Sequence, residues 1–297
     1  MRAGINALTA IFVVGVLAGL ALTPDGRAWL RHPTLMLGDK ASASAPPSAP
    51  AAPAPVVPVA APPAAPAVTR VTPLKARLAR GPLRIGVFGD SMADGLYAAL
   101  YRDLQDQPNV SVAKFSQVST GLSRYDYVDV QVRTRSQLDE QPVDVAVMLF
   151  GTNDAQGIDT AGVVHPFGTD GWKIAYGERI DDLVALLRSR DVAVYWVGLP
   201  RMKRDSFDGR MQLINGVVEA RMQALGVPLI ETVALTSNAE GGYEAYLPND
   251  GGRRVLMRAN DGIHMSMAGY MRLSAPVAAR LKRDAGLEPA PPPAPAA

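Results

Sequence analysis

Ser91 lies in the stretch FGDSMADGL (residues 88–96), directly behind a short apolar run and next to an acidic residue. A serine hydroxyl is a weak nucleophile until a base accepts its proton, and histidine is the side chain whose unperturbed pKa suits that task near neutral pH. The chain has 3 histidines. His32 stands beside an N-terminal apolar segment and His165 in a long polar insertion, which leaves His264 as the base. Asp261, in the same stretch NDGIHMSMAGY, can bend back to the imidazole and fix its tautomer. Attack on an ester creates an oxyanion. Donors for it are on offer in the backbone N–H of Ser91, the backbone N–H of Gly121 in STGLSR and the side-chain amide of Asn153 in GTNDAQ. Each residue also has an ordinary structural use: Ser91, Asn153 with Asp154, and Asp261 with His264 can cap helices, and Gly121 can serve a turn. Together they form one set of parts for acyl transfer through a serine.

These residues need elements to carry them. Apolar runs of strand length occur at LRIGVF (83–88), VSVAKF (110–115), VDVAVMLF (143–150), VAVYWVGL (192–199) and VPLIE (227–231). Between them, Ile180, Leu183, Val184 and Leu187 recur at helical spacing within 173–190, as do Ile214, Val217, Val218, Met222 and Leu225 in the next segment. Strands alternating with helices imply right-handed crossovers and a mostly parallel sheet covered on both faces. Ligands in such sheets bind beyond the carboxyl ends of the strands, which is where the serine, the glycine and the asparagine stand.

The four blocks, in this order, resemble the SGNH hydrolases, also called the GDSL family, over residues 83 to about 283. The resemblance implies a flavodoxin-like three-layer α/β/α sandwich with a central parallel five-stranded sheet, esterase or acyltransferase activity, and no metal or organic cofactor. By position it makes Ser91 the nucleophile, Gly121 and Asn153 oxyanion donors, Asp261 the orienting acid and His264 the base. The first block reads GDSM, with methionine in place of the family's leucine. The stretches GTNDAQ, WKIAYGERI, YWVGLPRM and LMRANDGIH are similar to a bacterial envelope subgroup, domain of unknown function 459. That subgroup resembles enzymes that add or remove O-acetyl groups on cell-wall or extracellular polysaccharide. An α/β-hydrolase would carry Gly-x-Ser-x-Gly, whereas residues 89–93 read Gly-Asp-Ser-Met-Ala.

The ends suggest where such a domain works. Residues 5–22 are apolar and uncharged, and as a helix at ~1.5 Å per residue they would span about 27 Å, close to the hydrocarbon core of a bilayer. They read as a signal anchor, with a cleaved signal peptide as the alternative. Residues 41–68 are almost wholly Ala, Pro, Ser and Val, a composition that extends rather than folds. The expected organisation is anchor and juxtamembrane segment (1–40), disordered Ala/Pro linker (41–81), hydrolase domain (82–287) and disordered tail (288–297). The expected location is the periplasm, tied to the inner membrane by the N-terminal helix, or free there if the segment is removed. Cysteine is absent, which excludes disulfides and thiol chemistry. A net charge of +2 without basic, aromatic-interleaved stretches speaks against nucleic acid.

Two elaborations bear on the substrate. The insertion GIDTAGVVHPFGTDGW (157–172) ends in Phe167 and Trp172, which would either wall a sugar ring or pack on the domain. Arg201, Lys203 and Arg204 follow the fourth strand and Arg253, Arg254 and Arg258 precede Asp261, offering either contacts to an anionic glycan, chiefly through Arg201 and Arg258, or solvated loop charge. The leading expectation is an esterase that removes acyl groups, chiefly acetyl, from an acylated envelope carbohydrate. The alternatives are an O-acyltransferase, which would need an acyl-donor partner protein or a periplasmic acyl donor, and a glycan-binding protein without turnover.

Overall fold

In the computed structural model, residues 71–287 are described. The 1–40 segment, residues 41–70 of the expected linker and the 288–297 tail lie outside the described residues.

Among the described residues sixteen elements follow one another: α1 (Leu74–Leu78), β1 (Leu83–Gly89), α2 (Ser91–Leu104), β2 (Val110–Lys114), α3 (Val130–Glu140), β3 (Val145–Leu149), β4 (Ile158–Thr160), β5 (Val163–His165), α4 (Asp170–Ser189), β6 (Ala193–Val197), α5 (Asp205–Leu225), β7 (Leu229–Ile230), α6 (Val233–Thr236), β8 (Tyr246–Pro248), β9 (Arg254–Leu256) and α7 (Met267–Ala285). Five of the strands form one parallel sheet in the order β2-β1-β3-β6-β7, with Ile85 of β1 level with Val112 on one side and Val145 on the other. All five apolar runs seen in the sequence are strands of this sheet. The central strand β3 is buried along its whole length, because helices cover both faces: α7 packs with α1 and α2, and α4 packs with α3 and α5. The chain leaves β1 for β2 on one side and returns to β3 on the other. That reversal opens a crevice at the carboxyl ends of β1 and β3, where doubly wound sheets place their ligands.

Two antiparallel hairpins stand outside the sheet and have no counterpart in the sequence expectations. The 157–172 insertion folds as β4–β5, turning through Ala161 and Gly162, both at positive φ (53° and 86°) as a two-residue hairpin turn requires. Its last residues already belong to α4. The second hairpin, β8–β9, pairs Tyr246 with Leu256 between β7 and α7.

The domain also begins earlier than the expected residue 82. Leu74 is buried and Leu78 packs on the same core, an i, i+4 apolar pair that makes α1 part of the domain. Thr72 donates its N–H and hydroxyl to Asp191, and Arg77 pairs with Asp191 at 2.8 Å. Residues 71–81 therefore belong to the folded unit, not to the linker. Among the described residues, no helix is long and apolar enough to cross a membrane.

Candidate active site

The crevice is built from three strand exits. Gly89 ends β1 at φ 148°, and a Cβ there would stand 1.9 Å from the Leu149 carbonyl of β3, so the two strands approach this closely only with glycine. Asp90 then caps α2, accepting from Met92 N–H at 2.9 Å. Ser91 is thus the first residue of the helix and not its cap, which places its hydroxyl at an N-terminus where backbone N–H groups favour negative charge. The other oxygen of Asp90 accepts from the N–H groups of Gly151 (3.3 Å) and Thr152 (3.0 Å) and from the Thr152 hydroxyl (2.6 Å). This buried carboxylate lashes the β3 exit to the start of the nucleophile helix. Burial pushes its pKa up to about 6, against the hydrogen bonds that favour the charged form.

His264 comes from the loop before α7, a helix capped by Ser266. Its Nε2 lies 2.7 Å from Ser91 Oγ, and its Nδ1 lies 2.6 Å from Asp261 Oδ2. The second oxygen of Asp261 accepts from the backbone N–H groups of Ile263 and His264 at 2.9 and 3.0 Å. Partial burial would raise the Asp261 pKa, but the bonds from the His264 ring and the two backbone groups outweigh it and hold the carboxyl down at about 2. An ionised Asp261 keeps the imidazole proton on Nδ1, leaving Nε2 to accept from the serine.

The loop after β2 and the turn after β3 close the third side. Thr120 donates its hydroxyl to Gly89 O at 3.3 Å, and Asn153 donates its amide to Thr120 O at 2.9 Å, so Gly121 and Asn153 meet beside the Ser91 end of α2. One amide hydrogen of Asn153 remains for a ligand. Among the described residues, neither the Ser91 nor the Gly121 backbone N–H is taken up by a protein acceptor. The structure therefore brings Ser91, Gly121, Asn153, Asp261 and His264 to one place.

The four residues expected at the substrate behave differently. Trp172 is fully buried, donates its Nε1–H to Gln156 O at 2.7 Å and stacks on Tyr176 with ring centroids 4.6 Å apart. Phe167 meets Trp172 edge-on at 4.7 Å with Arg210 above it. Trp172 thus packs inside the domain and offers no wall for a sugar, because α4 starts inside the insertion and carries it inward, while Phe167 packs against it and stays half-buried. Arg258 is 1% exposed, and its Nη2 donates to the carbonyls of Gly262 (3.2 Å) and Ile263 (2.8 Å). It staples the turn between Asp261 and His264 and is out of reach of a glycan. Arg201 remains partly exposed but is engaged by Asp208 at 2.9 Å.

Two carboxylates escaped notice in the sequence. Asp90 was visible only as the acid before the serine. Asp154 was visible only as a helix cap, yet it is fully buried, accepting from Ser123 N–H, Ser123 Oγ and Tyr176 Oη, each at 2.9 Å. Among the described residues, no group of three His, Asp or Glu side chains is placed to hold a metal ion.

In sequence, residues 84–280 match the family described as "Protein of unknown function (DUF459)". No curated protein matches the chain. Among solved structures, it is similar to a GDSL-like lipase from Bacteroides thetaiotaomicron, at a TM-score of 0.49 and 14% identity, covering 70% of this chain and 95% of that one. It is also similar to LAE5, an alpha/beta hydrolase enzyme from the metagenome of Lake Arreo, at 0.49 and 16%, covering 69% and 95%.

Proposed function

Because the chain belongs to the DUF459 family and holds Ser91, His264 and Asp261 in one hydrogen-bonded line, we propose that it is a serine esterase that removes O-acyl groups, chiefly acetyl, from an envelope carbohydrate. The observation that carries this reading is the 2.7 Å contact from His264 Nε2 to Ser91 Oγ.

In the proposed cycle, Ser91 Oγ attacks the ester carbonyl while His264 Nε2 takes its proton, and Asp261 stabilises the imidazolium through Nδ1–H. The carbonyl oxygen becomes an oxyanion facing the N–H groups of Ser91 and Gly121 and the Asn153 amide. Its collapse expels the sugar hydroxyl, which leaves with the proton held by His264. Water, deprotonated by the same nitrogen, then attacks the acyl-serine, and carboxylic acid departs with Ser91 restored.

Hydrolysis is favoured over transfer because the site is open. The side chains of His264 and Asp261 are 36% and 46% exposed, so among the described residues nothing keeps water from the acyl-serine. An open rim also suits a polymer, which cannot be swallowed by an enclosed pocket. Placement in the envelope rests on the apolar 5–22 segment and the Ala/Pro-rich stretch after it.

The test is acetate release by the full-length chain in detergent micelles, from p-nitrophenyl acetate and from an O-acetylated oligosaccharide. Ser91→Ala should lower turnover by roughly 1,000-fold or more, and Asn153→Ala should lower kcat by roughly 100- to 1,000-fold. Turnover that survives Ser91→Ala removes the acyl-serine and the proposal with it.

A further inference from the structure

The two oxyanion donors outside the nucleophile helix ride on separate irregular segments, Gly121 after β2 and Asn153 after β3, and no ladder of backbone bonds sets their spacing. Building on the esterase reading above, we propose that Asp154, fixed by Tyr176 of α4, is a positioning residue for the oxyanion pocket. Its carboxylate clamps the 119–123 loop to the 151–154 turn and thereby sets Gly121 N–H against the Asn153 amide.

The loop needs such a clamp. Ser119 sits at φ 63°, a left-handed conformation that costs a non-glycine residue energy and persists where surrounding contacts impose it. The contacts are dense. Thr120 O accepts from Asn153, Leu122 O accepts from Arg179 Nη1 at 2.5 Å, and Ser123 donates both its N–H and its hydroxyl to Asp154 Oδ1. Asp154 Oδ2 is in turn held by the Tyr176 hydroxyl. Tyr176 and Arg179 stand one turn apart on α4, so a single rigid helix secures both the carboxylate and the loop it grips. Gly121 leaves room for the arrangement, since a Cβ there would lie 2.1 Å from Asp154 Oδ1.

The chemistry of Asp154 is otherwise hard to explain. It is fully buried and its hydrogen bonds come from neutral groups, a setting in which a carboxylate adds little stability and burial raises its pKa. A group of this kind makes sense as a jig with acceptors at two fixed points. The stack of Trp172 on Tyr176 then has a task as well: it holds the phenol so that its hydroxyl points at Asp154. This gives the WKIAYGERI stretch a place in the site without any contact to substrate.

The experiment compares Tyr176→Phe, Asp154→Leu and Asp154→Asn in the full-length chain, with kinetics on p-nitrophenyl acetate per folded molecule and hydrogen exchange of peptides covering 116–125. Tyr176→Phe should lower kcat by about 3- to 10-fold with KM within about twofold, and should speed exchange in the 116–125 peptides selectively. Asp154→Leu should cost about 100-fold in kcat, near the loss for Asn153→Ala. Asp154→Asn, which can accept from Ser123 while donating to the Tyr176 oxygen, should restore most of that loss. Unchanged loop exchange in Tyr176→Phe overturns the clamp, and so does a loosened loop with kcat intact. Failure of the esterase reading shows separately, as wild-type turnover that persists in Ser91→Ala.

Discussion

Gly121 and Asp154 meet backbone against carboxylate, with no space between them for even one carbon: a Cβ on Gly121 would stand 2.1 Å from Oδ1 and 2.9 Å from Cγ of Asp154. Asp154 is pinned by Ser123 and Tyr176 and cannot swing aside, so the loop itself must give way if position 121 gains a side chain. Gly121→Ala should therefore displace the N–H aimed at the oxyanion and lower kcat by on the order of 100-fold, with a stability loss of about 1–3 kcal/mol from overpacking. Steady-state kinetics and urea unfolding of the same preparation check both halves. Full activity in a folded Gly121→Ala chain would take Gly121 out of the oxyanion pocket.

Trp172 tests the distinction between a wall and a support. Its indole is fully buried between Phe167 and Tyr176, so removal creates a cavity in the domain. Trp172→Ala should destabilise the chain by about 3–5 kcal/mol. Its effect on an acetylated oligosaccharide and on p-nitrophenyl acetate should be alike, because no sugar touches the ring. A KM increase confined to the carbohydrate would restore Trp172 to the binding surface.

The sheet was legible because its strands are short, largely apolar runs that alternate with segments of helical period. The nucleophile and its base were legible through scarcity, since of 3 histidines one stood beside the N-terminal apolar segment and one in a polar insertion, which left His264. Burial of polar residues was not legible. Arg258 and Trp172 carry types that suit a binding surface, and only the path of the chain shows one stapling a turn and the other entering the core. Asp90 reads as the acid before the serine and Asp154 as a helix cap; the partners that give them their roles lie more than 20 positions away, in Thr152, Ser123 and Tyr176. The hairpins β4–β5 and β8–β9 escaped because strands of three residues carry no alternation to detect. The start of the domain was misplaced for a similar reason, since α1 offers just Leu74 and Leu78 against a Pro- and Ala-rich background.

Asp90 makes stability depend on pH with a definite sign. Its carboxyl is lifted by burial to about 6 in the folded chain, so the native state holds a proton that the unfolded state has already released. The stabilisation is complete below the unfolded value near 4 and is lost as pH rises through about 6, a change on the order of 3 kcal/mol. Asp154 shifts in the same direction. Asp261, Asp144 and Asp191 are lowered instead, so their contributions persist above about 4 and fade only below it, outside this window. Urea unfolding should accordingly show stability falling between about pH 4.5 and 7, and Asp90→Asn should flatten that slope even though it is less stable throughout. An equal slope in both proteins would mean that Asp90 stays ionised over the whole range. The lashing of the β3 exit to the nucleophile helix would then rest on a charged carboxylate, with the donors of Met92, Gly151 and Thr152 outweighing its burial.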